Sequence, residues 1–401
     1  IPHKRPLPSK AGPARAAEEI KIGILSPFTG PTAKFGQMQR NTLTMAQEDV
    51  NGAGGIKSLG GAKITFVFGD TRGEADVGVT ETERLITKEK VIAVIGAFQS
   101  GVGLPASAVA ERYQVPWMTF GTVDTITTRG FKYVFRAHGN DTVKAKVIVE
   151  GLLDLAAQRG PITSAVVVAE NTEWGKSVSQ KQKGFLEAKG VKVHFVENYP
   201  FKSADLTSMI VKAKAVKPDL VIADSYLGDA LLITRTMAEQ ELKPAVYGSG
   251  GGGHVQPDFV AGVGGLAEGV ISCVLWDAGM GRAVPWIAKE NERHKQRFGV
   301  SMTEDGAGYY QAFYVVIDAL ERTKTLSPKA LRDALAATKI TDPSNKAMIM
   351  PGKQIVFDEG GQNQEAGAVL VQWQKGDLKI VYPTALADPA AQVTWPYPQS
   401  K

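Results

Sequence analysis

Two short stretches place hydroxyls, small residues and main-chain donors where a chain could hold an anion. In Phe98-Gln99-Ser100-Gly101, a hydroxyl and a glycine follow the apolar run Val91 to Ala97 and open a helix-length segment. The first N–H groups of a helix lack intrahelical partners, and the dipole there favours negative charge. In Gly121-Thr122-Val123, a Thr hydroxyl and further N–H groups follow the apolar run Val115 to Phe120. Side by side, the two turns are expected to cradle a carboxylate or similar anion in the crevice beyond the carboxyl ends of parallel strands. Ser100 also fits the plainer role of a helix N-cap. No general base or nucleophile accompanies these residues, so the chemistry expected is capture without conversion.

Other motifs are weaker. Gly248 to Gly253 satisfies G-x-G-x-x-G after a strand, the dinucleotide pattern, but consecutive glycines satisfy many patterns and a turn explains them equally well. Gly175-Lys176-Ser177 imitates the end of a phosphate loop, yet Glu170 stands where its first glycine belongs. H-E-x-x-H and G-x-S-x-G are absent, and the five histidines are scattered, so neither a catalytic set nor a metal centre is expected. No cofactor is expected either. An enzyme using a dinucleotide at the Gly248 run is the rival reading, disfavoured because no acid/base pair accompanies the glycines.

The elements that must position the two turns alternate in type. Ile20 to Ser26 is a buried strand, followed by a Gly/Pro loop carrying Phe35 and a helix from about Gln37 to Asn51. Strand Lys63 to Phe68 and helix Glu74 to Lys88 precede the unit containing both turns. The alternation restarts after Arg136, with helices from Asp141, Trp174, Ala204 and Gly228 between strands from Ser164, Lys192, Asp219 and Ala245. It closes with a strand at Gly269 to Leu275, three helical segments between Ala283 and Thr338, and short antiparallel strands between Gln354 and Tyr382. Strand-helix alternation of this kind predicts parallel sheets covered on both faces.

The chain has 401 residues, enough for more than one domain, and 43% hydrophobic content fills ordinary cores. Its formal charge of +5 owes most to Lys4, Arg5, Lys10 and Arg15, and without them 42 Lys and Arg face 41 Asp and Glu. A nearly neutral body makes nucleic acid an unsuitable partner. Cys273, the single cysteine, lies in an apolar run and reads as a small buried hydrophobe. No run of about 18 apolar residues long enough to span a bilayer occurs. Residues 1–17, basic and Pro-rich and ending in Ala14-Arg15-Ala16-Ala17, are expected to be a disordered or processed remnant of a signal peptide region.

These residues together resemble the type I periplasmic solute-binding proteins, in their leucine/isoleucine/valine-binding branch that feeds ABC importers. The likeness runs from Ile20 to about Tyr382. It rests on IKIGILSPFTGPTAKFG (20–36), NGAGGI (51–56), VIGAFQSGVGLPAS (94–107), RGFKYVFR (129–136), ENTEWGKS (170–177), KPDLVIADSYLGDA (217–230) and FDEGGQ (357–362). It implies two doubly wound parallel-sheet α/β lobes joined by three crossovers, placed near Asp141, Ser272 and Met350. Residues 18–141 and 273–350 would form the first lobe, and 142–272 and 351–401 the second. It further implies a ligand carboxylate held by Ser100 and the Gly121, Thr122 and Val123 loop, with Phe98 beside it. Phe35, Trp174 and Tyr226 would close over the ligand.

One departure matters. The acid that pairs with an amino acid's ammonium in that family falls near Gly250, where no carboxylate stands. Either Asp224, Asp141 or a set of carbonyls replaces it, or the ligand lacks an ammonium, as a keto or aromatic acid does. In that second case His254 or Tyr226 would bond its far end. The expected protein is therefore an exported, periplasmic, monomeric receptor for a small carboxylate, with branched-chain or other neutral amino acids first and aromatic or keto acids as the alternative. It would deliver its ligand to a membrane permease. The same fold could serve a sensor instead.

Overall fold

The computed structural model describes residues 19–398, so the expectation for 1–17 lies outside the described residues. The first sheet holds β1 (Ile20–Ser26), β2 (Ile64–Asp70), β3 (Ala93–Ile95), β4 (Trp117–Met118) and β5 (Val134–Phe135), ordered β2-β1-β3-β4-β5. All its pairings are parallel, with Ile22 opposite both Phe66 and Ala93. Such strands are buried on both faces, which is why β1 reads as a continuous apolar run. Helices α1 (Ala33–Gly52), α2 (Ala75–Thr87), α3 (Ser100–Arg112) and the single turn α4 (Thr125–Thr128) connect them.

The chain then crosses into α5 (Asp141–Ala156), whose Asn140 side chain caps it by accepting from the Val143 N–H at 3.0 Å. Strands β6 (Ser164–Glu170), β7 (Lys192–Tyr199), β8 (Leu220–Asp224), β9 (Val246–Ser249) and β10 (Ile271–Val274) alternate with α6 (Glu173–Ala188), α7 (Thr207–Ala215), α8 (Leu227–Glu239) and α9 (Pro257–Val263). Beyond β10 the chain returns to the first lobe through α10 (Pro285–Phe298), α11 (Glu304–Arg322) and α12 (Pro328–Ala336). The pair β11 (Lys339–Ile340) and β12 (Ile355–Val356) follows, and then β13 (Val369–Gln374) and β14 (Asp377–Tyr382) complete the second sheet, ordered β14-β13-β10-β9-β8-β6-β7. At one edge β13 runs antiparallel to both of its neighbours, β10 and β14.

This is the two-lobed α/β architecture with three crossings. The third crossing comes later than Met350. Arg136 of the first lobe pairs with Gln362, and its N–H bonds the Gly361 carbonyl at 2.8 Å, so 351–362 stays on that lobe and the chain rejoins the second sheet only at Val369. The second crossing follows Val274, because Ser272 and Cys273 still pair within the sheet. Cys273 is fully buried. The C-terminal stretch lies on the second lobe, where the Tyr397 hydroxyl donates to the Leu266 carbonyl at 2.6 Å.

Candidate ligand-binding cleft

The carboxyl ends of β3 and β4 on one lobe face those of β6 and β8 on the other. A cavity between them is lined by Phe98, Ser100, Phe120, Thr122, Lys144, Trp174, Tyr226, Gly252, Leu275, Glu304 and Asp305. Ser100 is the first residue of α3 and its hydroxyl accepts from the Val123 N–H at 3.3 Å. Gly121 brings the two turns together, since a Cβ there would lie 2.8 Å from Ile126 Cδ1 and 3.1 Å from Ser100 Cα. Its N–H is already bonded to the Ala97 carbonyl at 3.1 Å. Gly121 and Val123 therefore shape the cradle with amides engaged inside it, contrary to the expectation of free donors, while Ser100 and Thr122 face the cavity.

Arg136 holds this loop from behind. Fully buried, it donates from Nε to the Gly121 carbonyl at 2.9 Å, from Nη2 to the Val123 carbonyl at 2.6 Å and from Nη1 to Gln362 Oε1 at 2.9 Å. Burial pulls its pKa down to about 10, opposed by Asp141 and Asp124, so it remains a cation at neutral pH. The RGFKYVFR and FDEGGQ segments thus meet as a scaffold for the Gly121 to Val123 turn, a role that spacing alone did not reveal.

The aromatic wall joins both lobes. Phe98 stacks on Phe35 at 4.5 Å between centroids, and the Tyr226 ring lies 5.7 Å from Phe98, 5.9 Å from Phe35 and 5.3 Å from Trp174. Phe35 stands behind Phe98 and does not line the cavity. Trp174 sits in the first turn of α6, which Thr172 caps by accepting from the Gly175 N–H at 3.1 Å. Tyr226 is fixed through its N–H, which donates to Glu170 Oε1. Burial of Glu170 raises its pKa well above that of an ordinary carboxylate, with Asp229 and Asp224 adding to the rise and the Tyr226 amide opposing it. Free space inside amounts to about 30 Å³. A mouth of about 220 Å³, lined in part by Ser100, Thr172, Trp174 and Tyr226, leads outward.

Two expected residues lie elsewhere. His254 is fully buried in the second lobe, with Nε2 2.9 Å from the Tyr247 hydroxyl and its ring 5.1 Å from Phe259, because the glycine turn folds it inward. Gly250 is absent from the cavity lining, and its N–H donates to Asp224 Oδ1 at 2.6 Å. That carboxyl oxygen also accepts from Gln182 at 3.2 Å, and neither Asp224 nor Asp141 lines the cavity.

The charges that do line it went unrecognised in the sequence: Lys144 of α5, and Glu304 and Asp305 opening α11. Lys144 Nζ lies 3.5 Å from Glu304 Oε2, with side chains only 4% and 6% exposed. Glu304 Oε2 also accepts the Leu275 N–H at 2.7 Å, tying α11 to the second crossing. Burial lowers the Lys144 pKa, but Glu304, Cys273, Asp141 and Asp305 more than offset it and the net shift is upward. Asp305 is pushed up by burial and by neighbouring Glu304. Among the described residues no group of three His, Cys, Asp or Glu side chains could hold a metal ion, and no helix is long and apolar enough to cross a membrane.

The family model for periplasmic binding proteins matches residues 19–377. The Leu/Ile/Val-binding protein homolog 7 of Brucella abortus (strain 2308) is 32% identical over 389 residues, covering 94% of this chain and 95% of that one. Among solved structures, the leucine-binding protein LivK of Thermotoga maritima superposes with a TM-score of 0.79 at 22% identity, covering 90% of this chain and 97% of that one. A solute-binding protein of an ABC transporter from R. palustris, in complex with benzoate, gives 0.76 at 18% identity, covering 90% and 95%.

Proposed function

The chain belongs to the periplasmic binding protein family, in its leucine/isoleucine/valine-binding branch, and from that premise we propose that it is an exported receptor that captures a small carboxylic acid for a membrane permease. The curated relative is named a Leu/Ile/Val-binding protein homolog, and the fold is shared with a solute-binding protein of an ABC transporter. The observation that carries the reading is the cavity itself: the hydroxyl residues Ser100 and Thr122 come from one lobe, and Trp174 and Tyr226 from the other.

In this mechanism the first lobe binds the carboxylate at the hydroxyls and helix end of the two turns. Closure then brings the rings of the second lobe onto the apolar part of the ligand. Contacts to both lobes exist together only in the closed form, so ligand shifts the population towards it. Neutral amino acids head the candidates by family weight. Aromatic and keto acids stand beside them, since the fold serves both the leucine-binding protein and the benzoate complex.

A thermal-shift screen over branched-chain amino acids, their keto acids, their hydroxy acids and benzoates tests the reading. At a concentration about 100-fold above Kd, a ligand adds about 2.7 kcal/mol to folding stability. A clear rise in Tm for at least one carboxylate is expected, and a flat response to all four groups at millimolar concentration would count against it.

A further inference from the structure

Resting on the receptor reading, we propose that the ligand carries no ammonium and that Lys144 takes that group's place, so the site selects a carboxylic acid with a keto or hydroxyl oxygen for the lysine to bond. The family resemblance places a carboxylate for the ligand's ammonium near Gly250. Here a Cβ on Gly250 would lie 2.4 Å from Asp224 Oδ1, and one on Gly251 would lie 3.0 Å from Glu304 Oε1 and 3.2 Å from Lys144 Nζ. The Lys144–Glu304 pair is therefore packed against the turn that would have carried the acid. The chain brings its own ion pair to the spot, and an ammonium there would have to compete with Lys144 for Glu304.

Lys144 has donors to spare. An ammonium offers three N–H groups, and its ion-pair partner among the described residues, Glu304 Oε2, stands at 3.5 Å, longer than the 2.7 to 2.9 Å of a strong charged hydrogen bond. The side chain is 96% buried by the same measure that leaves it 4% exposed, and it lines the cavity shared with Ser100 and Thr122. An uncharged oxygen at that point gains a charge-assisted bond without bringing a new charge into the site. Glu304 and Asp305 are the rival anions for an ammonium. Glu304 is held through Oε2 by the Leu275 N–H at 2.7 Å and by Lys144 at 3.5 Å. Asp305 Oδ2 is already engaged by Gln256 Nε2 at 3.2 Å and by the Thr303 hydroxyl at 3.1 Å.

Calorimetric titration of the full chain with two matched pairs, leucine against 4-methyl-2-oxopentanoate and phenylalanine against phenylpyruvate, decides the matter. In the skeleton that binds, the keto member is expected to be tighter by about ten-fold or more, and Lys144→Met is expected to remove that preference by weakening the keto acid to a similar degree. Tighter binding of the amino member would overturn the proposal, and loss of its affinity in Asp305→Asn or in Glu304→Gln would assign the ammonium to that carboxylate. Unchanged keto-acid affinity in a Lys144→Met protein whose circular dichroism matches the wild type would also overturn it. Should Lys144→Met not fold, the wild-type ranking within each pair still decides. If none of the four acids binds while a benzoate does, the carboxylate receptor stands and the keto preference falls. If no carboxylate binds, the receptor reading fails first and takes this proposal with it.

Discussion

The ring of Tyr226 on the second lobe lies 5.7 Å from the ring of Phe98 on the first, and both line the cavity that Ser100 faces. This contact joins the two lobes across the cleft. In the proposed mechanism a bound acid adds contacts to both lobes, and through them ligand chemistry is coupled to lobe position.

Removal of either ring from the second lobe should therefore weaken binding. Trp174→Ala and Tyr226→Ala are each expected to cost about 1.5 to 3 kcal/mol of binding free energy, since each deletes a largely buried aromatic surface. Titration calorimetry checks this, and affinities within two-fold of wild type for both variants would refute a clamp formed by the two lobes.

Gly121→Ala tests the close approach of the two turns. Its Cβ would press on Ser100 Cα at 3.1 Å and on Ile126 Cδ1 at 2.8 Å, so the cradle must widen. A loss of roughly 1 to 3 kcal/mol is expected, the usual range for overpacking. Combined melting and ligand titrations should show weaker carboxylate binding, and a variant indistinguishable from wild type in both would contradict the geometry.

Arg136→Met leaves the Gly121 and Val123 carbonyls and Gln362 Oε1 without their buried donor. The expected destabilisation is about 3 kcal/mol, because several buried acceptors lose a charged partner together. Urea unfolding measures it, and an unchanged midpoint would show that the loop does not depend on this residue.

His254 makes a prediction about pH. Burial holds its pKa down at about 3, so the folded state keeps the ring neutral while the unfolded chain binds a proton below about 6.5. Between those values the unfolded state holds more protons, and this residue's contribution to stability is lost as pH falls through that window. The His254 ring signals in NMR should remain those of neutral imidazole down to about pH 4 and should not move on ligand addition. Titration near pH 6 would contradict the buried placement.

Strand and helix order was readable along the chain because both sheets are parallel and buried, which writes apolar runs such as IKIGILS between amphipathic helices. Ser100 and Thr122 could be singled out because strand-end turns advertise themselves through small and hydroxyl residues. The charged part of the cavity could not. Lys144 sits one turn into α5 and Glu304 and Asp305 open α11, positions where charges ordinarily face solvent, and only the folding of two distant helices onto the second crossing buries them together. His254 misled for the opposite reason. Its polar ring next to a glycine run suggests a ligand contact, yet its Nε2 meets the Tyr247 hydroxyl inside the lobe. The late third crossing has a similar cause, since pairing of Arg136 with Gln362 depends on a contact no local pattern records.

One titration series bears most directly on capture of a carboxylate between the lobes: the tightest acid found in the thermal screen, measured by calorimetry against wild type, Ser100→Ala and Tyr226→Ala. The account predicts that both substitutions, one on each lobe, weaken the same ligand by about ten-fold or more, each by at least about 1.4 kcal/mol. Full affinity in both variants would place the ligand elsewhere and contradict it.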